Sequence, residues 1–454
     1  MEYRKGQCQF VAQYGSLALD TDKKFTLSHT SFLPTAKIST PVLFENGTVT
    51  SFDDENEDLK IIRDTSVLVV GDRIASIFDS SSPCPIAIPS NAEKVSTENN
   101  IISPGFIDTH RHGWQTAYRT IAANTTLAEY FKHYSQFSQV AKVFTPEDIY
   151  FGQPAGIYEC LNAGVTSAFG PLPWDFLSRG ISCLAQGIHR KRNSDVVDLA
   201  TSKLVQMGMA YDGWMSASSE EAQSVIQLAK DTTHTMAGPW IIDHGPSALA
   251  KFNSLDTPLP IIFSHASFLS PADAALLRKH IHQVSITTES EMHYGHGHPN
   301  TPFIQDQFAL GLQATRSKFF MRTLDGWKIL SNNPMAANQA FLLATRNGGL
   351  ALRRDDLDVI KVGAKADLVV FDGLSPNMLG WSDPVAAIIL HSNAGDAMDA
   401  MVDGEWRKRD GKLVVSHDRA EVEERFLQSA KRIQKIWEYA AVPTLEGEYM
   451  AGVH

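Results

Sequence analysis

Two histidines placed two residues apart, at the end of an apolar run, are the residues best suited to chemistry. The run Ile101-Ile-Ser-Pro-Gly-Phe-Ile-Asp-Thr-His110-Arg-His112 is typical of a strand that ends in polar residues. Side chains in a strand alternate with period two, so both imidazoles would lie on one face. Paired imidazoles can provide two ligands for a divalent cation such as zinc. Histidine pairs also occur as solvated or hydrogen-bonded residues, and the spacing alone leaves both interpretations open.

The segment from residue 105 to residue 356 must position this pair. Short apolar runs, Ile261-Ile-Phe-Ser-His and Val284-Ser-Ile-Thr-Thr, alternate there with helical stretches such as Pro271-Ala-Asp-Ala-Ala-Leu-Leu-Arg. Alternation of strands and helices predicts repeated βα units and a parallel sheet. We therefore expect an α/β fold with a (β/α) barrel, in which His110 and His112 face the active-site mouth at the C-terminal end of a strand.

Two β-rich segments flank the predicted barrel, over residues 36–104 and 357–415. Val42-Leu-Phe-Glu-Asn-Gly-Thr-Val-Thr predicts a strand with an Asn-Gly turn, and the chain around Gly71-Asp72 predicts a hairpin. Ala366-Asp-Leu-Val-Val-Phe-Asp-Gly predicts a further strand closed by a turn, and Asp-Gly pairs mark a hairpin region behind it. These segments predict a small antiparallel sheet, whereas residues 1–35 show no clear period and are interpreted as an extension.

The C-terminal part, residues 416–454, predicts one amphipathic helix and a tail. Asp418 and Glu421 have the spacing of a capping box. Apolar residues then recur at helical spacing, at Val422, Phe426, Ala430, Ile433 and Trp437. We expect this stripe to pack on the body of the protein, with a partner site as the alternative.

Composition and charge narrow the class of protein. The chain has 454 residues, of which 43% are hydrophobic, enough for one barrel with an accessory module. Its net charge is −11 with the acidic residues spread along the chain, so we expect no nucleic-acid partner. No window reaches the roughly 18 apolar residues of a membrane span, and no secretory pattern opens the chain. Four separated cysteines without C-x-x-C fit a reducing compartment, so we expect a cytoplasmic protein.

Several motifs, in order over residues 40 to 415, resemble those of the amidohydrolase superfamily. Pro104-Gly-Phe-Ile-Asp-Thr-His-Arg-His resembles its first-strand signature. Ala340-Phe-Leu-Leu-Ala-Thr-Arg-Asn-Gly-Gly-Leu-Ala-Leu resembles the helix after its last barrel strand, and Gly363-Ala-Lys-Ala-Asp-Leu-Val-Val-Phe-Asp resembles the return into its small sheet domain. The nearest branch is the cytosine-deaminase-like and triazine-hydrolase group, which includes chlorohydrolases.

The resemblance implies a distorted (β/α)8 TIM barrel with a composite β-sandwich formed by both chain ends. It implies one divalent metal ion, zinc or alternatively iron, held by two first-strand histidines, a fifth-strand histidine and an eighth-strand aspartate. His110 and His112 match the first pair, and His265, closing Pro260-Ile-Ile-Phe-Ser, matches a sixth-strand histidine that orients water or polarises substrate. The implied activity is metal-dependent hydrolysis of a non-peptide carbon–nitrogen bond, as in deamination of a heterocyclic amine.

Two histidines compete for the fifth-strand position. Thr232-Thr-His234 stands where that strand should end, and Ile241-Ile-Asp-His244 is a second strand-like run with a terminal histidine. We prefer His234 as the metal ligand, because the interval from it to His265 leaves room for a helix. A surface histidine remains the alternative for both residues.

The sequence departs from the family pattern at the eighth strand. Phe308-Ala-Leu-Gly311 predicts the start of that strand, yet Gly311 runs directly into Leu312-Gln-Ala-Thr-Arg-Ser-Lys-Phe-Phe, which has helical character. The aspartate that would complete the metal site and accept a proton is therefore missing. Candidate substitutes stand in or near the strand-seven loop, which is alternatively a solvated surface or a lid: Glu289, Glu291, Asp306, His293, His296 and His298.

These residues lead to two functional hypotheses. The first is an amidohydrolase-type enzyme with a small-molecule substrate, in which Trp114 stacks on a flat heterocycle; core packing is the alternative for Trp114. The second is a catalytically impaired homologue or truncated isoform that serves as a binding or oligomerisation module. A homodimer is the assembly that soluble enzymes form most often.

Overall fold

The computed structural model describes residues 40–135, 138, 143–168, 208–210, 218–232, 235–240, 245–265, 267, 269–295, 309–415 and 418–440. It has a mixed α/β fold, as the alternation of strands and helices predicts. No helix in this part of the chain is both long and apolar enough to cross a membrane. The predicted N-terminal extension, residues 1–35, lies outside the described residues.

The strands are, in chain order, β1 Val42–Asp53, β2 Asp58–Val70, β3 Arg73–Asp79, β4 Glu93–Ser96, β5 Ile101–Pro104, β6 Phe106–Asp108, β7 Val165–Ala168, β8 Gly208–Ala210, β9 Thr235–Trp240, β10 Ile261–Ser264, β11 Gln283–Ser285, β12 Leu368–Phe371, β13 Ala397–Val402, β14 Glu405–Arg409 and β15 Lys412–Leu413. The helices are α1 Leu127–His133, α2 Pro146–Asn162, α3 Ser219–Thr232, α4 Gly245–Ala250, α5 Pro271–His280, α6 Thr288–Tyr294, α7 Ala309–Leu324, α8 Ala337–Ala344, α9 Arg346–Ala351, α10 Pro384–Ala386 and α11 Arg419–Tyr439. A 3₁₀-helix spans Gly113–Tyr118, and a π-helix spans Ala387–His391.

Strands from both ends of the described chain share one large sheet. Its order is β15-β14-β13-β12-β5-β1-β2-β3, with β4 paired to β1. The two halves join at β5, which pairs in parallel with β1 and antiparallel with β12. The turn at Gly71-Asp72 forms as predicted, because Val70 pairs with Arg73 across it. The division of the chain into domains remains a prediction.

The prediction of an Asn-Gly turn at Asn46-Gly47 is wrong. Strand β1 continues through both residues, and its pairing with β2 shifts register on each side of Gly47. Asn46 has φ 65°, and a Cβ on Gly47 would lie 2.7 Å from Thr97 Oγ1. A left-handed residue beside a glycine with no space for a side chain makes a β-bulge here instead of a reversal of the chain.

The parallel strands form two smaller sheets. β6 pairs with β7, and a four-stranded sheet has the order β11-β10-β9-β8. Helices α3, α4 and α5 cover the second sheet through one apolar cluster that includes Val225, Leu249, Phe263 and Leu277. Helix α5 begins as predicted, with a capping box between Ser270 and Asp273. These sheets bring the C-terminal ends of several parallel strands into one region.

The prediction that a strand begins at Phe308-Ala-Leu-Gly311 is wrong, because α7 begins at Ala309. Leu312 and Thr315, three residues apart, are both buried and form one helical face. Leu312 packs in a core cluster with Met335 and Phe341. The helical character expected from Leu312 onward is confirmed, and it extends back across Gly311, where the strand was expected.

Helix α11 packs on the body of the protein through an aromatic cluster. Its Ile433 and Trp437 contact a cluster that contains Trp114, Tyr118 and Phe144. Trp114 is 1% exposed, with its ring edge-on to Phe144 at a centroid distance of 5.5 Å. The indole nitrogen of Trp437 donates a hydrogen bond to the carbonyl of His133 at 3.0 Å. The apolar stripe of α11 is therefore core, as expected, and so is Trp114.

Two buried carboxyl groups lie where the large sheet meets the parallel strands. Asp358 accepts a hydrogen bond from Thr166 Oγ1 on β7 at 2.9 Å, and Asp367 Oδ1 accepts one from the amide of Asp403 at 2.6 Å. Burial raises the pKa of Asp367 to about 6. Burial, with Asp367 as a like-charged neighbour, also raises the pKa of Asp358. Both groups therefore bind a proton more readily in the folded chain than an exposed aspartate does.

Replacement of Trp114 should cost stability. Because the side chain is 1% exposed, Trp114→Ala should lower the free energy of unfolding by about 3–5 kcal/mol. Urea unfolding followed by circular dichroism measures this change. The matched control is Trp327→Ala, since Trp327 is 98% exposed and should be replaceable without loss. Unchanged stability of Trp114→Ala would instead support the substrate-stacking role.

Neutralising Asp367 should stabilise the protein only above acidic pH. A raised pKa means that this group stabilises the fold fully below about pH 4 and that the contribution is lost as pH rises through about 6. Asp367→Asn keeps an acceptor for the Asp403 amide but carries no charge. We expect the free energy of unfolding of this variant to exceed that of the wild type by about 2 kcal/mol at pH 8 and to equal it at pH 4.

Urea unfolding at both pH values tests this expectation. Asp256→Asn, at an exposed position, is the control and should follow the wild type at both pH values. If Asp367→Asn were destabilised equally at pH 4 and pH 8, the expected pH dependence would be contradicted.

Candidate functional site

Three histidines predicted from the sequence converge at the ends of parallel strands. His110 and His112 follow β6, and His265 directly follows β10. The imidazole of His110 lies 4.8 Å from that of His112 and 5.0 Å from that of His265, measured between ring centroids. Residues more than 150 positions apart in the sequence thus form one cluster, at the end of the strands where barrel enzymes carry their active sites.

The first-strand pair has the arrangement that its spacing predicts. His110 Nε2 and His112 Nε2 lie 3.0 Å apart, so both rings point to one place. Ser264, the last residue of β10, holds His110 from behind with Oγ 3.1 Å from Nδ1. The hydroxyls of Thr109 and Ser285 are 2.7 Å apart and link the same loop to the end of β11. Side-chain hydrogen bonds therefore tie His110 and its loop to two other strands.

The donor set fits a divalent metal ion. The separation of 3.0 Å is compatible with two nitrogens that each lie about 2.0–2.1 Å from one zinc ion. Burial lowers the pKa of His112 to about 4, so its ring is neutral and able to bind metal at pH 7. Its Nδ1 is buried without a hydrogen-bond partner among the described residues. Among the described residues, no group of three or more histidine, cysteine or carboxylate side chains is placed to hold a metal ion.

An ion-pair cluster holds the loop that carries the histidines. Asp108 accepts a hydrogen bond from the amide of His110 at 3.1 Å, and Arg111 lies 3.6 Å from the same carboxylate. Arg111 also contacts Glu159 on α2 at 2.5 Å. Burial raises the pKa of Asp108, and the His110 amide and Arg111 partly oppose that effect. The backbone between the two histidines is thereby tied to a neighbouring helix.

His265 is held in an unusual backbone conformation by the end of β11. Its φ is 64°, in the left-handed region that non-glycine residues rarely adopt and that is often found at functional sites. Its amide donates to the carbonyl of Ser285 at 2.7 Å. Its Nδ1 lies 2.6 Å from Thr287 Oγ1 and 3.4 Å from Glu291 Oε1. His265 is 7% exposed, so these contacts fix the ring in a largely dry site.

The other sequence-predicted residues are distributed differently. Trp114 lies in the aromatic core, which supports the core alternative for it. Glu291 is fully buried beside His265, whereas Glu289 is exposed on the same helix. His293 is exposed, and its Nε2 lies 3.2 Å from the carbonyl of Ala122. Four candidates lie outside the described residues: His234, His296, His298 and Asp306, as does the alternative fifth-strand histidine, His244.

Sequence reasoning missed the hydroxyl groups of the site. The hydroxyls of Ser264 and Thr287 contact His110 and His265, and that of Ser285 contacts Thr109 beside His110, yet none belongs to a histidine or carboxylate motif. One signal could have found them: each lies in the last residue of a parallel strand or within two residues of its end, where a barrel places its functional side chains.

Known proteins resemble this chain over most of its length. The model of the Amidohydrolase family matches residues 191–407. A 5-methylthioadenosine/S-adenosylhomocysteine deaminase from Caldicellulosiruptor saccharolyticus is 23% identical over 442 residues, covering 87% of this chain and 99% of the relative. A 5′-deoxyadenosine deaminase from Methanosarcina mazei is 20% identical over 447 residues, covering 84% of this chain and 96% of the relative.

Solved structures show the same fold. An adenosine deaminase from Xanthomonas campestris with bound zinc has a TM-score of 0.69 at 16% identity, covering 87% of this chain and 99% of that one. An atrazine chlorohydrolase from Arthrobacter aurescens, complexed with zinc, has a TM-score of 0.66 at 16% identity, covering 86% of this chain and 100% of that one. The first-strand signature, the converging histidines and these matches agree, and the chain is similar in sequence and fold to proteins of the amidohydrolase superfamily.

Proposed function

We propose that this protein is a metal-dependent hydrolase of non-peptide carbon–nitrogen bonds that deaminates a small heterocyclic amine. The observation that carries the proposal is the convergence of His110, His112 and His265, with two Nε2 atoms 3.0 Å apart. The parallel strands are proposed to belong to a distorted (β/α)8 barrel, and the large sheet to a composite β-sandwich. Similarity of fold to the amidohydrolase structures supports this architecture.

The substrate class follows from the relatives. Those compared above are named as deaminases of adenine nucleosides or as a chlorohydrolase of a triazine. Their common substrate feature is a flat, nitrogen-rich ring with a leaving group on a ring carbon. We therefore propose an aminopurine or similar heterocycle as the substrate class, with a homodimeric, cytoplasmic enzyme as the working form.

Each histidine has a distinct part in the proposed reaction. His110 and His112 would hold the metal ion, zinc or alternatively iron, and His234 would be a third ligand. A divalent ion in such a site lowers the pKa of water and so supplies a nucleophile at neutral pH. Ser264 keeps the His110 ring in place through Nδ1. His265, adjacent to His110 and held by Thr287, would exchange a hydrogen bond or a proton with the reacting groups.

The metal content of purified protein tests the proposal. His110→Ala/His112→Ala should lose the ion, because it removes both nitrogens of the converging pair. The matched control is His280→Ala/His391→Ala, which removes two histidines away from the cluster and should keep wild-type metal content. Atomic emission spectroscopy measures the metal, and ammonia release from adenosine, 5′-deoxyadenosine and guanine measures turnover. Metal content that is equal in both double variants would refute the assignment.

One observation favours a second candidate function, a catalytically impaired homologue that binds ligands or oligomerises. Helix α7 stands where the eighth strand and its aspartate were expected. Without that carboxylate, a metal site built from histidines could bind an ion yet lack its proton acceptor.

Restoring the missing segment separates the two candidates. A short strand-like insert with an aspartate after Gly311 should raise turnover of the substrate panel if the natural chain is impaired. The same insert with asparagine is the control, since it changes length but adds no carboxylate. Equal turnover of the natural chain and both inserts would eliminate the impaired homologue.

A further inference from the structure

A fully buried carboxylate lies behind the sixth-strand histidine. Glu291, on the short helix α6 that follows β11, has 0% exposure. Its Oε1 accepts a hydrogen bond from the Thr287 amide at 2.8 Å and lies 3.4 Å from His265 Nδ1. Burial of a carboxylate is costly unless other groups compensate it. Its position therefore indicates a specific relation to His265.

Thr287 connects the carboxylate to the ring. Its Oγ1 lies 2.6 Å from His265 Nδ1, 2.8 Å from Ser290 Oγ and 3.5 Å from Glu291 Oε1. A hydroxyl group has one hydrogen to donate and two lone pairs to accept with. If the hydrogen goes to the carboxylate, which can only accept, the lone pairs accept from Ser290 and from His265. This assignment gives Thr287 Oγ1 one donated and two accepted hydrogen bonds.

The opposite assignment is electrostatically worse. If Thr287 donated to His265, Nδ1 would carry a lone pair, and that lone pair would lie 3.4 Å from the carboxylate oxygen of Glu291. Two electron-rich atoms would then face each other in a buried site, where charges are weakly screened. The carboxylate therefore favours a proton on Nδ1.

We propose that Glu291, acting directly and through Thr287, is a positioning residue that fixes the orientation and the Nδ1–H tautomer of His265. In this tautomer Nε2 carries the ring lone pair and accepts hydrogen bonds. His265 thus presents a hydrogen-bond acceptor at the ring nitrogen that is not held by Thr287 and Glu291. The catalytic consequence rests on the proposed function, whereas the state of the ring does not.

The ring state can be measured on the purified full chain. Two-bond ¹H–¹⁵N correlation spectra of ¹⁵N-histidine protein, with and without added zinc, distinguish a pyrrole-like from a pyridine-like nitrogen at each ring position. Signals lost in His265→Asn are assigned to His265. We expect a protonated Nδ1 and an unprotonated Nε2 in the wild type at neutral pH. A wild-type ring with the proton on Nε2 would overturn the proposal.

Matched substitutions on α6 test the cause. Glu291→Gln removes the charge at nearly constant shape and should introduce the Nε2–H tautomer of His265. Glu289→Gln removes the exposed carboxylate two residues away and should leave the spectrum unchanged. Thr287→Val should disturb the ring signals, and Thr287→Ser, which keeps the hydroxyl, should restore them. Identical spectra for Glu291→Gln and Glu289→Gln would overturn the proposal.

Turnover supplies a second, independent readout. Glu291→Gln should lower kcat about 10- to 100-fold, as is common when a supporting hydrogen bond to an active-site histidine is lost, with KM nearly constant. Asp256→Asn, at an exposed position outside the site, should keep wild-type kcat. If Glu291→Gln raised KM but left kcat at the wild-type value, the role of Glu291 would be merely structural, and this result would contradict the proposal. The two proposals can fail separately. If His110→Ala/His112→Ala kept its metal while the His265 ring carried its proton on Nδ1, only the proposed function would be refuted.

Discussion

The continuity of β5 into β6 is the constraint on which the rest of the structure depends. β5 pairs with β1 and β12 in the large sheet, and β6, which begins two residues after β5 ends, pairs with β7 among the parallel strands. Only Gly105 separates them, and a Cβ there would lie 1.9 Å from Thr166 Oγ1. The Gly105 amide donates to the carbonyl of Asp367 at 3.0 Å. The short and closely packed connection at Gly105 therefore fixes the direction in which the chain runs from the large sheet toward His110 and His112.

The site itself is a layer of polar groups placed over an apolar interior. Ile261, Ile262 and Phe263 precede Ser264 and His265 and are all buried, so the polarity changes within one strand. Polar groups at such a depth reduce stability unless they find partners, and here each strand end provides a partner for its neighbour. The left-handed conformation of His265 belongs to the same arrangement, because the Ser285 carbonyl and Thr287 hydroxyl hold that residue on both its backbone and its ring.

Helix α7 lies in the sequence where an eighth strand was expected. The helix α7 buries Leu312 in the same cluster as Phe341, so the space behind the site is filled by core packing. Helix α7 itself contains no carboxylate. Glu291 provides a buried carboxylate at a different place, behind His265 and not beside the histidine pair.

Part of the fold and part of the candidate site follow from local patterns in the sequence. The alternation that puts His110 and His112 on one face, the turn at Gly71-Asp72 and the capped start of α5 depend on residues close in sequence, so the sequence by itself determined them. It did not determine whether Asn46-Gly47 turns or bulges, because the neighbouring Thr97 and the pairing of β1 with β2 decide that. Nor could it show that Trp114 is core, since burial of an aromatic ring depends on a helix more than 300 residues away.

The same reason explains the hydroxyl and carboxylate partners of the site. Ser264 and His110 are 154 residues apart in sequence, and a serine carries no signal of its role until the strands are assembled. Glu291 was one of several acidic residues in a polar loop, and only its full burial against His265 distinguishes it from the exposed Glu289. The sequence thus determined which residue types and strand ends could carry the chemistry. The tertiary structure decided which of them meet, because contact between distant residues depends on how whole strands and helices pack.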